Sequence, residues 1–373
     1  MAGKLISICI PTFNRARTLD RLMGNLAAEV AGIEGRVEVC VSDNHSPDGT
    51  LAVLESWKAR MPLVFGSNDE NIGYDGNLLK AAGMASGRFV WFMGDDDIVM
   101  EGAVKGVVDG IETNAGRGMG TIYINAKSGR GWVSPLGQNS FAVIAKKDGL
   151  PPLHVGFIGC LCVERKLMER VIRERITVKN GRLIKKNFGG KTVLHGFCHT
   201  YLFMECLRDS ERMGIMPCCG ISIAMDGENP TYAKKMLLSL LIFRYFLEMK
   251  LYYPWLRESY PLASHMNSVF SLAAIACERP EFERAYLTSY RMLLEVLGLD
   301  GRKAAASALR AFEAVRRTVP GRYAIPGVHG LLRDLKRQQL SREEEKNRDL
   351  LANLEYTIKD SEGLLAEAEK ARG

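Results

Sequence analysis

Trp91-Phe92-Met93-Gly94-Asp95-Asp96-Asp97 is the stretch on which the reading of this chain turns. An apolar, strand-like run, Phe89 to Met93, ends at a glycine and opens directly into three consecutive carboxylates. Adjacent like charges repel, so such a cluster at a strand end asks for a cation. A hard divalent ion bound through oxygen, Mg2+ or Mn2+, with substrate phosphates completing its octahedron, is the chemistry that uses it. A solvated acidic turn is the plain alternative.

Upstream, Leu5 to Ile10 reads as a buried strand stopped by Pro11, and Val37 to Val41 as a second, stopped by Ser42-Asp43-Asn44. Between them, Leu19, Leu22, Met23, Leu26 and Ala27 recur at helical spacing over Thr18 to Val30, which predicts a strand-helix-strand unit with parallel strands. A helix follows from Thr50 to Lys58, with Asp48 or Thr50 placed to cap it. A short strand, Leu63 to Phe65, a loop, Asn68 to Tyr74, and a helix, Asp75 to Ala85, then lead back to the acidic run. The N-terminal half is thus an alternating α/β sheet, whose ligands sit at the carboxyl ends of the strands. Pro11 to Arg15, Ser42 to Asn44 and Asp95 to Asp97 all fall at that edge. The first turn, Pro11-Thr12-Phe13-Asn14-Arg15, has no glycine, which argues against a dinucleotide pyrophosphate, and no P-loop pattern occurs.

Taken in order, Ile8-Cys9-Ile10-Pro11-Thr12-Phe13-Asn14-Arg15, Val41-Ser42-Asp43-Asn44 with Asp48-Gly49-Thr50, Asn71-Ile72-Gly73-Tyr74 and Gly94-Asp95-Asp96-Asp97 resemble the motifs of family 2 glycosyltransferases of the GT-A fold. The wording is most similar to the abequosyltransferase-like O-antigen branch, in which Gly-Asp-Asp-Asp replaces the commoner Asp-x-Asp-Asp. The resemblance covers roughly the first 125 residues and weakens toward Tyr232. It implies a Rossmann-like mixed sheet over residues 1–230 and is absent beyond; helical periodicity and charge instead give an α-helical region over 231–319 and a basic linker with an amphipathic or coiled-coil tail over 320–373. The resemblance also implies an inverting, metal-dependent transfer of a hexosyl or deoxyhexosyl group from a nucleotide-sugar to a hydroxyl of a glycan, polyprenyl-linked, in bacterial surface polysaccharide assembly. The rival is a non-catalytic GT-A-like scaffold that organises such an assembly complex through its C-terminal helices.

By the same resemblance Pro11, Thr12, Phe13 and Asp43 would hold the base, since a carboxylate accepts from a ring or exocyclic N–H. The alternative for Asp43 is an Asx-turn closed on its own backbone. Arg15 and Arg17 would steady phosphate charge or lie solvated at a helix start. Asn71 and Gly73 would sit close to the nucleotide, with Tyr74, Asp75 and Asn77 in reach, although Asn and Gly near a helix start are also ordinary turn chemistry. Gly94 stands where the family often has its first aspartate. Alignment on Ile98 makes Asp96 and Asp97 the metal carboxylates and puts Asp95 near the ribose. The family's usual Glu-Asp base has no clean copy. His199 takes that place, a group with the right intrinsic pKa to accept the acceptor's proton, unless it merely packs a helix. His195, Glu205 and Asp226 are held in reserve.

At 373 residues, 47% hydrophobic and 25% charged, the chain supports a large core, two folded parts and a tail. Nine cysteines, scattered except for Cys160/Cys162 and Cys218/Cys219, suggest reduced thiols in the cytoplasm. A zinc site from Cys160, Cys162, His195, Cys198 or His199 matches no zinc-module spacing. Met1-Ala2-Gly3-Lys4 runs straight into the first strand, and no signal peptide is expected.

Beyond Pro230, Tyr232 to Pro254, Tyr260 to Ile275 and Glu281 to Leu297 are helical in period. Met236 to Phe243 is too short to span a bilayer before Arg244 interrupts it. With a net charge of +7, Arg316, Arg317, Arg322, Arg333, Lys336 and Arg337 form either a solvated face or a peripheral contact with the inner face of the plasma membrane. Leu351, Leu354, Ile358, Leu365 and Ala368 trace a seam, interrupted at Asn347 and Ser361, that suits a partner helix or a second copy of the chain. No nucleic-acid partner is expected.

Overall fold

The computed structural model describes residues 3–128, 131–136, 140–179, 182–185, 196–222, 232–256, 282–296 and 348–372. Two compact units emerge, Met1–Asp226 with Trp255–Tyr260, and Gly227–Pro254 with Pro261–Gly373.

In the first unit, β1 (Ile6–Thr12), α1 (Ala16–Val30), β2 (Val37–Asp43), α2 (Thr50–Trp57), β3 (Leu63–Ser67), α3 (Gly73–Gly83) and β4 (Phe89–Phe92) alternate as the sequence predicts. Then follow β5 (Ile98–Val99), α4 (Ala103–Thr113), β6 (Met119–Ser128), β7 (Gly131–Trp132), β8 (Ala142–Ala145), β9 (Leu161–Glu164), α5 (Arg165–Arg175), β10 (Ile176–Lys179), β11 (Arg182–Lys185), α6 (Cys198–Asp209) and β12 (Arg212–Ser222). A ten-stranded sheet runs in the order β3-β2-β1-β4-β9-β6-β12-β5, with β7 beside β6 and β8 beside β12; β10 and β11 form a separate ribbon. This mixed α/β sheet is the GT-A arrangement that the sequence motifs imply.

Every residue of β1 and β2 is buried, and Leu19, Leu22, Met23, Leu26 and Val30 line the covered face of α1. β1 does not stop at Pro11 but continues to Thr12, which pairs with Asp43. The proline is tolerated because β4 has already ended: its last partner on β1 is Cys9, opposite Phe92, so on that side no ladder bond is lost at Pro11.

Strand direction reverses between β4 and β9, where Trp91 faces Cys162 in an antiparallel pair. The chain entering β9 therefore arrives beside the acidic run leaving β4, and Trp91 Nε1 donates to Gly159 O at 2.7 Å. Farther across, β12 follows β6 in parallel until its register shifts between Met216 and Ile221. Gly220 occupies that irregularity, and a β-carbon there would overlap the Asn125 carbonyl oxygen. Past it, Ile221 and Ser222 pair with Val99 and Ile98, and Met100 N–H donates to Gly220 O at 2.9 Å, so β12 clamps the segment just downstream of the aspartates.

The second unit contains α7 (Tyr232–Tyr252), α8 (Glu283–Val296) and α9 (Arg348–Arg372). Leu240, Phe243 and Leu247 of α7, Ala285, Met292 and Leu293 of α8, and Leu354, Ile358, Leu365 and Ala368 of α9 share one core. The apolar seam of α9 is thus covered by α7 and α8 within this unit. An amphipathic stripe specifies burial but not against which helix. Buried Arg244 is bonded to Glu248 at 2.6 Å and to Asp360 of α9, tying α7 to α9. Arg284 pairs with Glu355 and Glu362, and Arg291 with Glu369, along the α8–α9 rim. Among the described residues no helix is long and apolar enough to cross a membrane. The helix expected over 260–275 and the basic group at 316–337 lie outside the described residues.

Candidate functional site

The turns after β1 and β2 interlock. Asn14 and His45 both hold positive φ, 56° and 63°, a conformation that Asn and His accept more readily than bulkier residues. Asn14 N–H donates to Ser46 Oγ at 2.8 Å. Asp48 Oδ2 accepts from Ala16 N–H at 3.1 Å, and its Oδ1 from Thr50 N–H at 3.0 Å, so one carboxylate caps the first turns of both α1 and α2. Against the upward push of partial burial, these hydrogen bonds and that of the Thr50 hydroxyl hold the Asp48 pKa below its ordinary value.

Asp43, at the end of β2, is buried. It accepts from Ser46 N–H at 3.3 Å, from Ser46 Oγ, and from Ser67 Oγ at 2.8 Å. Beside it an asparagine network joins the loops. Asn44 Nδ2 donates to Asn71 Oδ1 at 2.8 Å and to Gly73 O at 3.3 Å, while its Oδ1 accepts from Ile72 N–H at 2.9 Å and Asn68 Nδ2 at 3.1 Å. Asn77 donates to Ser42 O at 2.9 Å and Thr12 O at 3.2 Å, and accepts from Asn68 at 3.0 Å. Asn77 therefore braces the strand ends from inside, where the sequence suggested it could reach ligand.

The acidic run lies across the end of β1. Thr12 Oγ1 donates to Asp95 Oδ2 at 2.8 Å, Arg15 Nη1 lies 3.4 Å from Asp96 Oδ2, and Arg21 Nη2 donates to the Asp96 carbonyl at 3.4 Å. Asp97, only 9% exposed, folds back to accept from Gly94 N–H at 3.0 Å. A β-carbon on Gly94 would stand 3.1 Å from Asp97 Oδ2 and 3.2 Å from Asp96 Oδ1, so both carboxylates would have to shift slightly to admit it. Burial pushes Asp95 up to about 6, against the pull of Thr12 and Arg15. Burial, with Asp96 and Asp95 adding to it and the Gly94 N–H opposing, pushes Asp97 up to about 7.

Burial is the first cause of both rises, so ionising these two carboxyls without a nearby cation is costly. Among the described residues no three acidic, His or Cys side chains converge as a ready-made metal cage. An all-oxygen donor set of one or two carboxylates, short of positive charge, fits Mg2+ or Mn2+, ions that take their remaining ligands from water and phosphate. It does not fit zinc.

His199 sits in the first turn of α6, 4% exposed. Its Nε2 lies 3.1 Å from Gly156 O and its Nδ1 3.0 Å from Tyr74 Oη. A carbonyl can only accept, so Nε2 carries the hydrogen and Nδ1 accepts from the tyrosine. Burial lowers the His199 pKa to about 4, with the Gly156 carbonyl and the Asp75 carboxylate opposing. Glu205 is buried in ion pairs with Arg175 at 2.7 Å and Arg208 at 3.0 Å. His195 and Asp226 lie outside the described residues.

Of the residues singled out in the sequence, Thr12, Arg15, Asp95 and Asp96 are in direct contact. Asn71 and Gly73 join Asp43's strand end through Asn44, Pro11 is buried within β1, and Phe13 is 43% exposed beside them. Arg17 is exposed, and the structure gives it no contact with the acidic run. Sequence reasoning missed Arg21, Asn44 as the hub of the network, Asn68 and Gly156. Arg21 follows Arg17 by one helical turn, a spacing that could have been used. The carbonyl of Gly156 leaves no sequence signal.

Residues 7–172 match the sequence profile described as Glycosyl transferase family 2. Abequosyltransferase RfbV of Salmonella typhimurium is 36% identical over 96 residues, 25% of this chain and 28% of that protein. The GalNAc(5)-diNAcBac-PP-undecaprenol beta-1,3-glucosyltransferase of Campylobacter jejuni is 30% identical over 103 residues, 27% and 32% of the two chains. Validoxylamine A glucosyltransferase of Streptomyces hygroscopicus is 41% identical over 70 residues, 19% and 16%. The chain thus spans less than a third of the length of these relatives. Among solved structures, Staphylococcus aureus TarS 1-349 in complex with UDP-GlcNAc aligns at a TM-score of 0.48 and 15% identity, covering 84% of this chain and 91% of that one.

Proposed function

We propose that this protein is an inverting, metal-dependent glycosyltransferase that moves a hexosyl or deoxyhexosyl group from a nucleotide-sugar to a glycan hydroxyl in surface polysaccharide assembly. The observation that carries the reading is the acidic run, Asp95 to Asp97, set against Thr12 and Arg15 at the carboxyl edge of a family 2 sheet. A second observation supports the metal. At the helix that follows β1, Ala16 N–H is already taken by Asp48, whose negative charge would oppose a diphosphate there. The charge of the diphosphate must be met elsewhere.

In this reading Asp96 and Asp97 hold Mg2+ or Mn2+, which supplies Lewis-acid stabilisation of the departing nucleoside diphosphate. Arg15 faces the same phosphates. Asp95 serves the ribose. Pro11, Thr12, Phe13 and Asp43, with Asn71 and Gly73 nearby, receive the base, Asp43 exchanging a serine hydrogen bond for one from the base edge. His199 is the base on which the proton of the attacking hydroxyl comes to rest. The undecaprenol in the name of the Campylobacter relative supports a lipid-linked acceptor. Such an acceptor would bring a chain of net charge +7 to an anionic membrane face.

The test is the melting midpoint with UDP, GDP, CDP or dTDP, with and without Mn2+, for the unaltered protein and for Asp96→Ala and Asp97→Ala. The reading expects a metal-dependent rise with one nucleotide that both substitutions abolish. No rise with any nucleotide at millimolar concentration favours the scaffold instead.

A further inference from the structure

We propose that Tyr74 is the group that meets the acceptor hydroxyl and that His199 works through it, the two forming a two-proton relay. This rests on the transferase reading above and adds a catalytic residue to it.

The argument begins with access. A general base must offer a lone pair to the hydroxyl it deprotonates. His199 has one such lone pair, on Nδ1, and Tyr74 Oη covers it at 3.0 Å; the other nitrogen is committed to Gly156 O at 3.1 Å. The ring is 4% exposed, whereas Tyr74 is 40% exposed. No acceptor oxygen reaches Nδ1 without displacing the tyrosine, and of the two residues only Tyr74 has an exposed edge to approach from.

Position agrees with access. Tyr74 is the second residue of α3, after Gly73, whose φ of +76° and bond from Asn44 fix the start of that helix beside the loops that follow β1 and β2. Desolvation, the Cys198 thiol, and the charges of Asp75, Asp95 and Asp97 all keep the phenol protonated, which places Tyr74 within the field of the acidic run. Tyr74 therefore does not wait as a phenolate. It can accept a proton only while handing on its own.

The step balances as follows. A lone pair of the acceptor oxygen forms the new bond to the anomeric carbon, and the bond from that carbon to the phosphate oxygen breaks, its pair leaving with the nucleoside diphosphate. The acceptor proton passes to Tyr74 Oη, and the original Tyr74 proton passes to His199 Nδ1. The imidazolium so formed keeps its Nε2–H on Gly156 O and faces Asp75, whose negative charge already favours the protonated ring. Phe197 packs on the ring at 5.8 Å between centroids and brings no charge.

The experiment uses the full chain with Mn2+ and follows nucleoside diphosphate release from UDP-glucose, UDP-GlcNAc, GDP-mannose and dTDP-glucose, water standing in for the acceptor hydroxyl. Tyr74→Phe keeps the ring and removes the relay oxygen. Its kcat is expected to fall at least 100-fold, in the range of a lost acid–base group, with nucleoside diphosphate affinity unchanged within about twofold. His199→Gln should match it, and the double variant should be no slower than either single one, as for groups that act as a unit. The unaltered enzyme should give a curved dependence of rate on the fraction of D2O, from two protons in flight, and Tyr74→Phe a linear one. A Tyr74→Phe enzyme that binds nucleotide and retains kcat within about threefold overturns the relay alone, as do losses that multiply in the double variant. An unaltered chain that neither binds nor turns over any of the nucleotides removes the transferase reading, and the relay with it.

Discussion

Asp97→Asn tests whether the acidic run is held at a cost to stability. Asp97 is nearly buried and its pKa is raised from the ordinary 3.8 to about 7, roughly three units at about 1.4 kcal/mol each, which sets an upper limit of about 4 kcal/mol. The sign follows from linkage. The folded state keeps this proton at pH values where the unfolded chain has released it, so stability falls as pH rises from about 4 to about 7 and is then level. Asparagine does not titrate, its oxygen can still accept from Gly94 N–H, and its amide can donate toward Asp95 or Asp96. The variant should therefore match the unaltered protein near pH 4 and exceed it above pH 7. At about 2–4 °C per kcal/mol for a domain of this size, a gain of several degrees at pH 8 is expected. Melting midpoints by fluorescence at pH 4.5, 6 and 8, without metal, read it directly. A variant less stable at pH 8, or an offset that does not change with pH, would refute the argument that burial of charge dominates at this position. The same substitution should abolish the Mn2+-dependent nucleotide shift, separating what stabilises the fold from what serves the ligand.

Asn44→Ala removes the acceptor for Ile72 N–H and one for Asn68, and the donor to Gly73 O, in a buried place; about 3 kcal/mol of stability should be lost in urea unfolding, with nucleotide affinity falling as the start of α3 loosens. Arg244→Ala leaves Glu248 and Asp360 without their shared counter-charge inside the helical unit and should cost about 3–5 kcal/mol there. Because that pairing is confined to α7 and α9, nucleotide binding by the first unit should persist at temperatures where circular dichroism already reports loss of helix.

The parallel half of the sheet was legible because its information is local. β1, α1, β2 and α2 each carry a period or a stop signal within about fifteen residues, and the acidic run announces itself by composition. The other half was not. β6 pairs with β12 across some ninety intervening positions, β9 inserts between β4 and β6 against the direction of both, and neither pairing leaves a mark in a short window. Pro11 misled for the opposite reason: a stop signal was overridden because β4 ends early. The candidate site divides along the same line. Asp43, Asp95 and Asp96 could be named from motif order, whereas the engagement of both His199 nitrogens depends on Gly156 and Tyr74, which come from distant segments. The fate of α9 was hidden because its stripe fits an external partner and α7 and α8 equally well.

The pairing of Ile221 and Ser222 with Ile98 and Val99 decides where a working fragment can be cut. The family match ends at 172, and a fragment trimmed there would retain all three aspartates but not the strand that holds their downstream neighbours in line. Its acidic loop would keep the two bonds between Val99 and Asn25 of α1 but lose the strand beyond them, and Met100 N–H would lose the Gly220 carbonyl. Expression boundaries for this domain should follow the sheet through residue 222 rather than stop at the edge of the motif.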